Sequence, residues 1–279
     1  MNAIEAFNAG SLDEALEIAK GEVKNNPTDV GRRNTFCELL CWAGELERAD
    51  KQLETLMMQD PAAAMGLSLF RQLIRAELSR QECFGKGRAP ELLNGVDELL
   101  EKQIELLLAI REGLQERAQE LVEQIENERP RVQGICDGKP FDDLRDLDDT
   151  CATFFEVLTS TGKYFWIPMS RVVVLTLHPI TRPRDLLWRR AHMIVQDGPD
   201  GEVYLPLNYA LSLGSDDKQL KLGRATDWKG GESGPVQGLG RRMMLIGEED
   251  RSLLEVSEFL FGDAAAEQGS VDSASGDAS

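Results

Sequence analysis

The sequence predicts an α+β protein: a helical repeat array to about residue 130, then a β-rich α+β region. Three observations carry this. A set of small and helix-ending residues recurs at fixed spacing in the first half. The apolar pattern changes after Pro130 from a period near 3.6 to short alternating or continuous runs rich in β-branched and aromatic residues. From Asp263 onward only Ala, Ser, Gly, Asp and similar residues remain, so segment 263–279 is expected to be a disordered acidic tail. The expected units are therefore 1–130, 131–262 and the tail.

The repeat is read from Ala9-Gly10-Ser11-Leu12, Ala15 and Asn26-Pro27, which return as Ala43-Gly44-Glu45-Leu46, Ala49 and Asp60-Pro61. Gly113, Ala118 and Pro130 supply the same skeleton a third time. Gly10 and Gly44 lie 34 positions apart (44 − 10), the period of the tetratricopeptide (TPR) helix–turn–helix. Gly permits the tight turn, Ala lets two helices approach, and Pro ends the second helix. Phe36, Cys37, Leu40, Ala49, Leu53 and Pro61 occupy TPR slots, with Arg33 where Trp is usual, so the array is TPR-like but degenerate. Residues 62–82 continue as a helix with Leu67, Phe70, Leu73, Ile74 and Leu78 inward. The break at Phe84–Pro90 then reads as a repeat lacking its second helix. A helix from about Glu91 to Glu112, with Val96, Leu99, Leu100, Leu107 and Ile110 inward, leads into the third unit.

Beyond Pro130, Phe141–Leu147 reads as a strand edge and Asp149–Thr159 as a short helix. Tyr164–Pro168, Arg171–Leu177, Met193–Gln196, Glu202–Leu207, Lys218–Leu222 and Met243–Ile246 read as strands, with Leu253–Phe261 undecided. Arg171–Leu177 is apolar on both faces and should be central in a mostly antiparallel sheet.

The net charge of −18 opposes nucleic-acid or anionic-membrane binding. No apolar run approaches a membrane span, and five scattered cysteines without C-x-x-C read as reduced thiols, so a cytoplasmic location is expected. No catalytic, cofactor or metal constellation is visible. His178 and His192 have no partner at ligand spacing, and Cys37 and Cys41 read as core. The run Asp142–Asp149 lacks the Gly and distal Glu of a Ca²⁺ loop and reads as a solvated, capping stretch. Gly238-Leu239-Gly240 lacks the third Gly of a dinucleotide fingerprint.

Further motifs occur in one order: Gly85-Lys86-Gly87-Arg88-Ala89-Pro90, Gly138-Lys139-Pro140-Phe141, Gly162-Lys163-Tyr164-Phe165-Trp166-Ile167-Pro168, Arg184-Asp185-Leu186-Leu187-Trp188, Thr226-Asp227-Trp228 and Gly238-Leu239-Gly240-Arg241-Arg242. Together they resemble the ImpE/TagJ family, accessory proteins of bacterial type VI secretion, from the first repeat to about Phe261. The resemblance implies a cytoplasmic, non-catalytic protein that contacts the N-terminal helix of the small contractile-sheath subunit. The family pattern often has Gln where Arg241 stands, so that position receives no role.

Three functions follow as expectations: the sheath adaptor, an enzyme of unrecognised chemistry in the second half, and a co-chaperone clamping an acidic peptide with Arg32, Arg33 and Asn34. For the adaptor, a helix-in-groove contact is expected. Asn34, Glu38 and Cys41 would face the concave side of the array, and Phe70, Leu73 and Ile74 would be left bare by the incomplete repeat. Trp166, Trp188 and Trp228, with the cations Arg182, Arg184, Arg189 and Arg190, are either a second docking surface or the core and salt-bridged rim of the β-rich half.

Overall fold

The protein is described here by a computed structural model covering residues 1–93, 95, 97–231 and 234–266. Seven helices form the first half: α1 (Ala3–Asn8), α2 (Leu12–Asn25), α3 (Val30–Ala43), α4 (Leu46–Gln59), α5 (Ala64–Lys86), α6 (Glu98–Arg111) and α7 (Gln115–Glu128). The repeated residues do what their chemistry suggests. Gly10, Gly44 and Gly113 all take left-handed backbone, with φ of 89, 81 and 71°. The three matching alanines, Ala15, Ala49 and Ala118, are buried at the helix–helix contacts. Asn2 and Glu5 cap α1 reciprocally, and Asp29 and Asp97 cap α3 and α6 through their side chains. The helix expected from Glu91 starts later, at Glu98, because Glu91–Leu92 pairs as a two-residue strand; Val96 lies outside the described residues.

The second half contributes β2 to β14 after that first strand, β1 (Glu91–Leu92). These are β2 (Gly134–Cys136), β3 (Lys139–Phe141), β4 (Leu144–Asp146), β5 (Phe154–Leu158), β6 (Tyr164–Pro168), β7 (Val172–Leu177) and β8 (Trp188–Val195). Then come β9 (Asp200–Pro206), β10 (Thr226–Gly231), β11 (Gly234–Gly240), β12 (Met243–Ile246), β13 (Glu249–Ser252) and β14 (Glu258–Phe261). Nine of them form one sheet in the order β1-β6-β5-β9-β8-β7-β14-β2-β3, antiparallel except for β1 against β6. A β13-β12-β4 sheet and the β10-β11 hairpin complete the half. β7 is interior, as its two apolar faces require.

Two expected elements change type. Asp149–Thr159 is no helix: a 3₁₀ turn (Asp149–Cys151) leads into β5, whose five residues are all buried. Lys218–Leu222 is no strand but a short helix, α8 (Lys218–Lys221), which Asp217 caps. A continuous apolar run such as Phe154–Leu158 does not distinguish the two periods, and only its buried position between β6 and β9 settles it. Of the expected tail, residues 267–279 lie outside the described residues.

Two cores result. One face of the large sheet, with Phe155, Val157, Ile167, Leu175, Ala191, Met193, Leu205 and Phe259, closes against Leu144, Met244 and Ile246 of the smaller sheet. The other core runs without interruption from the helices into the sheet: Phe36, Leu40, Trp42, Leu53, Phe70 and Ile74 pack with Phe154, Leu158, Tyr164, Trp166 and Trp188. The sheet thus stands where α5 would otherwise have met a partner helix. For the same reason α3 is buried on nearly every side, including Arg33 and Glu38.

Because Trp188 is buried across this shared core, Trp188→Ala should destabilise the intact chain by about 3–5 kcal/mol in denaturant titration. Far-ultraviolet circular dichroism and tryptophan fluorescence should report one common transition. Two separate midpoints would show that the halves fold independently.

Candidate functional site

Nine of the residues singled out from sequence, Asn34, Glu38, Cys41, Phe70, Leu73, Ile74, Trp166, Arg184 and Trp188, converge on one place, the junction between the helices and the sheet, whereas Trp228 lies at the surface. The 3₁₀ turn Pro183–Leu186 lies against α3 and fills the concave side of the array. The Trp42 indole donates to the Pro183 carbonyl at 3.2 Å. The Arg184 guanidinium sits 4.2 Å from the centre of the Phe70 ring and is nearly buried. Its charge lies near Glu38, whose carboxyl is pushed up by burial and drawn back by Arg184. Asn34 donates to Glu38 at 3.3 Å. Trp188 meets Phe70 edge-on at 6.3 Å and donates to Glu77 at 2.9 Å. Cys41, Phe70, Leu73, Ile74 and Trp166 are all at most 1% exposed.

The expectation that Glu38 and Cys41 face an open groove, and that Phe70, Leu73 and Ile74 are left bare, is therefore overturned. The chain's own sheet covers them, because the incomplete repeat and the apolar face of β5 and β6 each need a partner. Trp166 and Trp188 are core indoles, and Arg184 is their buried neighbour. The clamp reading loses its donors too. Arg33 is committed to Gln52 and the Pro27 carbonyl, and Arg32 to Asp29.

Beneath these contacts lies a charge cluster that sequence reading missed. Glu156 of β5 is fully buried and accepts two hydrogen bonds from Arg80 of α5, at 2.8 and 2.9 Å. It also accepts from Arg242 and from the Tyr164 hydroxyl, onto which Trp166 donates. Arg80 reaches on to the Asn208 carbonyl and to Glu77. Arg242 lies 3.4 Å from Asp146, which also accepts from Tyr209. The signal was present: a carboxylate inside Phe154-Phe155-Glu156-Val157-Leu158 demands a buried cation. What sequence could not show is which of 31 Lys and Arg residues supplies it.

The acidic run is likewise not the solvated stretch expected. Asp146 and Asp148 are buried, and Asp148 accepts from Thr150 and from the Gly238 amide at 2.8 Å. Burial, and then the neighbouring charge of Asp146, push the Asp148 carboxyl up to about 7. Burial also raises Cys151, Tyr164 and Tyr209 above their ordinary ranges. Among the described residues no group of three or more His, Cys, Asp or Glu could hold a metal ion. His178 and His192 share Glu202 on the open face of the sheet.

Among the described residues, two open clefts of about 600 Å³ lie at the surface. One is lined by Cys136, Lys139, Phe141, Ile246 and Arg251. The other is lined by Leu147, Trp228, Val236 and Met243.

The fold is that of a degenerate helical repeat array whose concave side is closed by its own β-rich half. Residues 138–259 match the family model described as ImpE protein. Over 262 residues, 94% of this chain and 91% of the relative, the chain is 30% identical to the type VI secretion system accessory component TagJ of Pseudomonas aeruginosa. The X-ray structure of a Vibrio parahaemolyticus protein matches with a TM-score of 0.87 and 29% identity, covering 95% of this chain and 99% of that one. The chain belongs to the ImpE/TagJ family. Three of the six motifs on which that resemblance rests send residues to the junction and its charge cluster: Tyr164 and Trp166, Trp188, and Arg242.

Removing one member of a buried ion cluster strands the others, so Glu156→Gln should cost about 3–5 kcal/mol in denaturant titration. Asp148 sets a pH dependence of unusual sign. Its folded pKa lies above its unfolded one, so the folded chain keeps a proton that the unfolded chain releases between pH 3.8 and about 7. Stability should therefore fall as pH rises through that window. Asp137 and Asp143, lowered by Arg251 and Arg129, act the other way and only as pH drops through the ordinary carboxylate range. Unfolding midpoints measured across pH 3.8–7 should show the fall in the native chain, and a shallower one in Asp148→Asn.

Proposed function

We propose that this chain is a non-catalytic cytoplasmic adaptor of bacterial type VI secretion that holds the N-terminal helix of the small contractile-sheath subunit. The observation that carries the reading is its 30% identity, over 94% of its length, to a type VI secretion accessory component. Among the described residues no helix is long and apolar enough to cross a membrane, which fits an adaptor of this kind. The competing enzyme reading finds little support. The strongly shifted groups Asp148, Cys151, Tyr164 and Tyr209 are sealed in the interior, and none of them lines either open cleft.

The energetics suit a reversible adaptor. Three or four apolar anchors contribute about 1.5–3 kcal/mol each on burial. Association and ordering cost about 4–15 kcal/mol. The net is small, and a Kd of about micromolar order is expected. The test is titration of the intact chain into a fluorescently labelled peptide of the sheath subunit's N-terminal helix, followed by anisotropy. Isolated halves are unsuitable because each would expose the shared core. A saturable rise is expected. Absence of binding at high micromolar concentration of the chain overturns the reading.

A further inference from the structure

The cleft beside Trp228 combines several features that the fold itself does not need. Of the four tryptophans, Trp42, Trp166 and Trp188 are at most 2% exposed, whereas Trp228 is 39% exposed. It is not loosely held. Trp228 faces Gly238 across the β10–β11 hairpin, and the Tyr209 ring lies under both. A side chain at position 238 would strike that ring, since a Cβ there would lie 2.2 Å from it. Tyr209 is in turn fixed by hydrogen bonds to Asp146 and to the backbone of Met243. An exposed indole is thus braced on a buried ring and presented to solvent in one orientation, the kind of rigid aromatic that dominates binding energy.

The rest of the cleft is largely apolar, with one carboxylate, Asp250, in its lining. Leu147, Val236 and Met243 share it with Trp228, and Thr226 and Gly230 alternate with Trp228 along β10. The hairpin therefore lines the cleft with its face, where side chains meet a guest, rather than with a strand edge that would pair with an extended one. Asp250 stands in the lining, whereas Asp227 of β10 and Glu249 of β13 are exposed on the opposite faces of their strands. Lys229 is the one basic residue of β10. The whole chain carries a charge of −18.

We propose that this cleft docks an amphipathic helix that carries Lys or Arg along the border of its apolar face. The inference rests on the adaptor reading and gives it a location. The helix sets aliphatic side chains against Trp228, Val236 and Met243, while its cations meet Asp250. Rim pairs of this sort speed encounter and select the partner by sign of charge, and salt screens them.

The other three indoles are buried, so acrylamide quenching of the intact chain reports on Trp228. Two probes separate the cleft from the adaptor reading. The first is a designed Leu/Lys amphipathic peptide of about 14 residues, long enough for about four helical turns, with a Leu/Glu peptide of the same pattern as control. The Leu/Lys peptide should protect Trp228 from quenching, less so as salt is raised, and the Leu/Glu peptide should not. Binding that leaves the quenching unchanged, or equal protection by both peptides, overturns the cleft. The second probe is the labelled sheath-subunit peptide. Trp228→Ala and Met243→Glu should each weaken its binding by about tenfold or more, with Trp228→Ala keeping the wild-type circular dichroism and unfolding midpoint. If native chain and both variants bind it equally, the cleft is wrong and the adaptor reading stands. If Leu/Lys protects Trp228 but the sheath peptide does not bind, the cleft stands and the adaptor reading fails.

Discussion

One buried carboxylate holds the two halves of this protein in register. Glu156 sits in the middle of β5 with no access to water, and a lone charge there would cost several kcal/mol. Arg80 comes from the longest helix of the array and Arg242 from just beyond the hairpin, so the sheet is satisfied only when α5 lies across it. Apolar burial is non-directional and would tolerate sliding of helix against sheet. A two-point contact between a guanidinium and a carboxylate does not. Tyr164, Trp166, Asn208 and Glu77 are all oriented by the same cluster.

That arrangement redefines what the repeat array is for. A stack of helix pairs ordinarily offers its concave side to a guest. Here the guest is the chain's own segment around Pro183–Trp188, with Arg184 stacked on Phe70 and Trp188 bonded to Glu77. Burial of this site against its own sheet closes that side to an external helix, and the docking surfaces proposed above are ones that the β-rich half presents. The hairpin with Trp228 is one such surface, and it too leans on the junction through Tyr209 and Asp146.

How much was legible in the sequence depended on how local the physics was. Gly10, Gly44 and Gly113 announce left-handed turns because glycine adopts that backbone at no steric cost, whereas the cap at Asp97 was missed, since the helix that it starts was expected from Glu91. The interior place of β7 followed from its two apolar faces. Phe154–Leu158 and Lys218–Leu222 were misread because short runs lack enough turns to separate a period of two from one of 3.6. The acidic run failed for another reason: a row of aspartates is solvated unless distant atoms bond it, and the Gly238 amide that donates to Asp148 lies 90 residues away.

Sequence by itself determined the array, its repeat, the change to β structure near Pro130 and, through ordered motifs, the family. Each of these rests on spacing along the chain, where neighbouring residues impose the geometry. Only the tertiary structure decided that Phe70, Leu73 and Ile74 are covered, that Trp188 is core and Trp228 is surface, and that Arg80 and Arg242 share Glu156. Exposure and ion pairing are set by what arrives from far along the chain. Four tryptophans identical in chemistry are therefore told apart only by which of them another element covers.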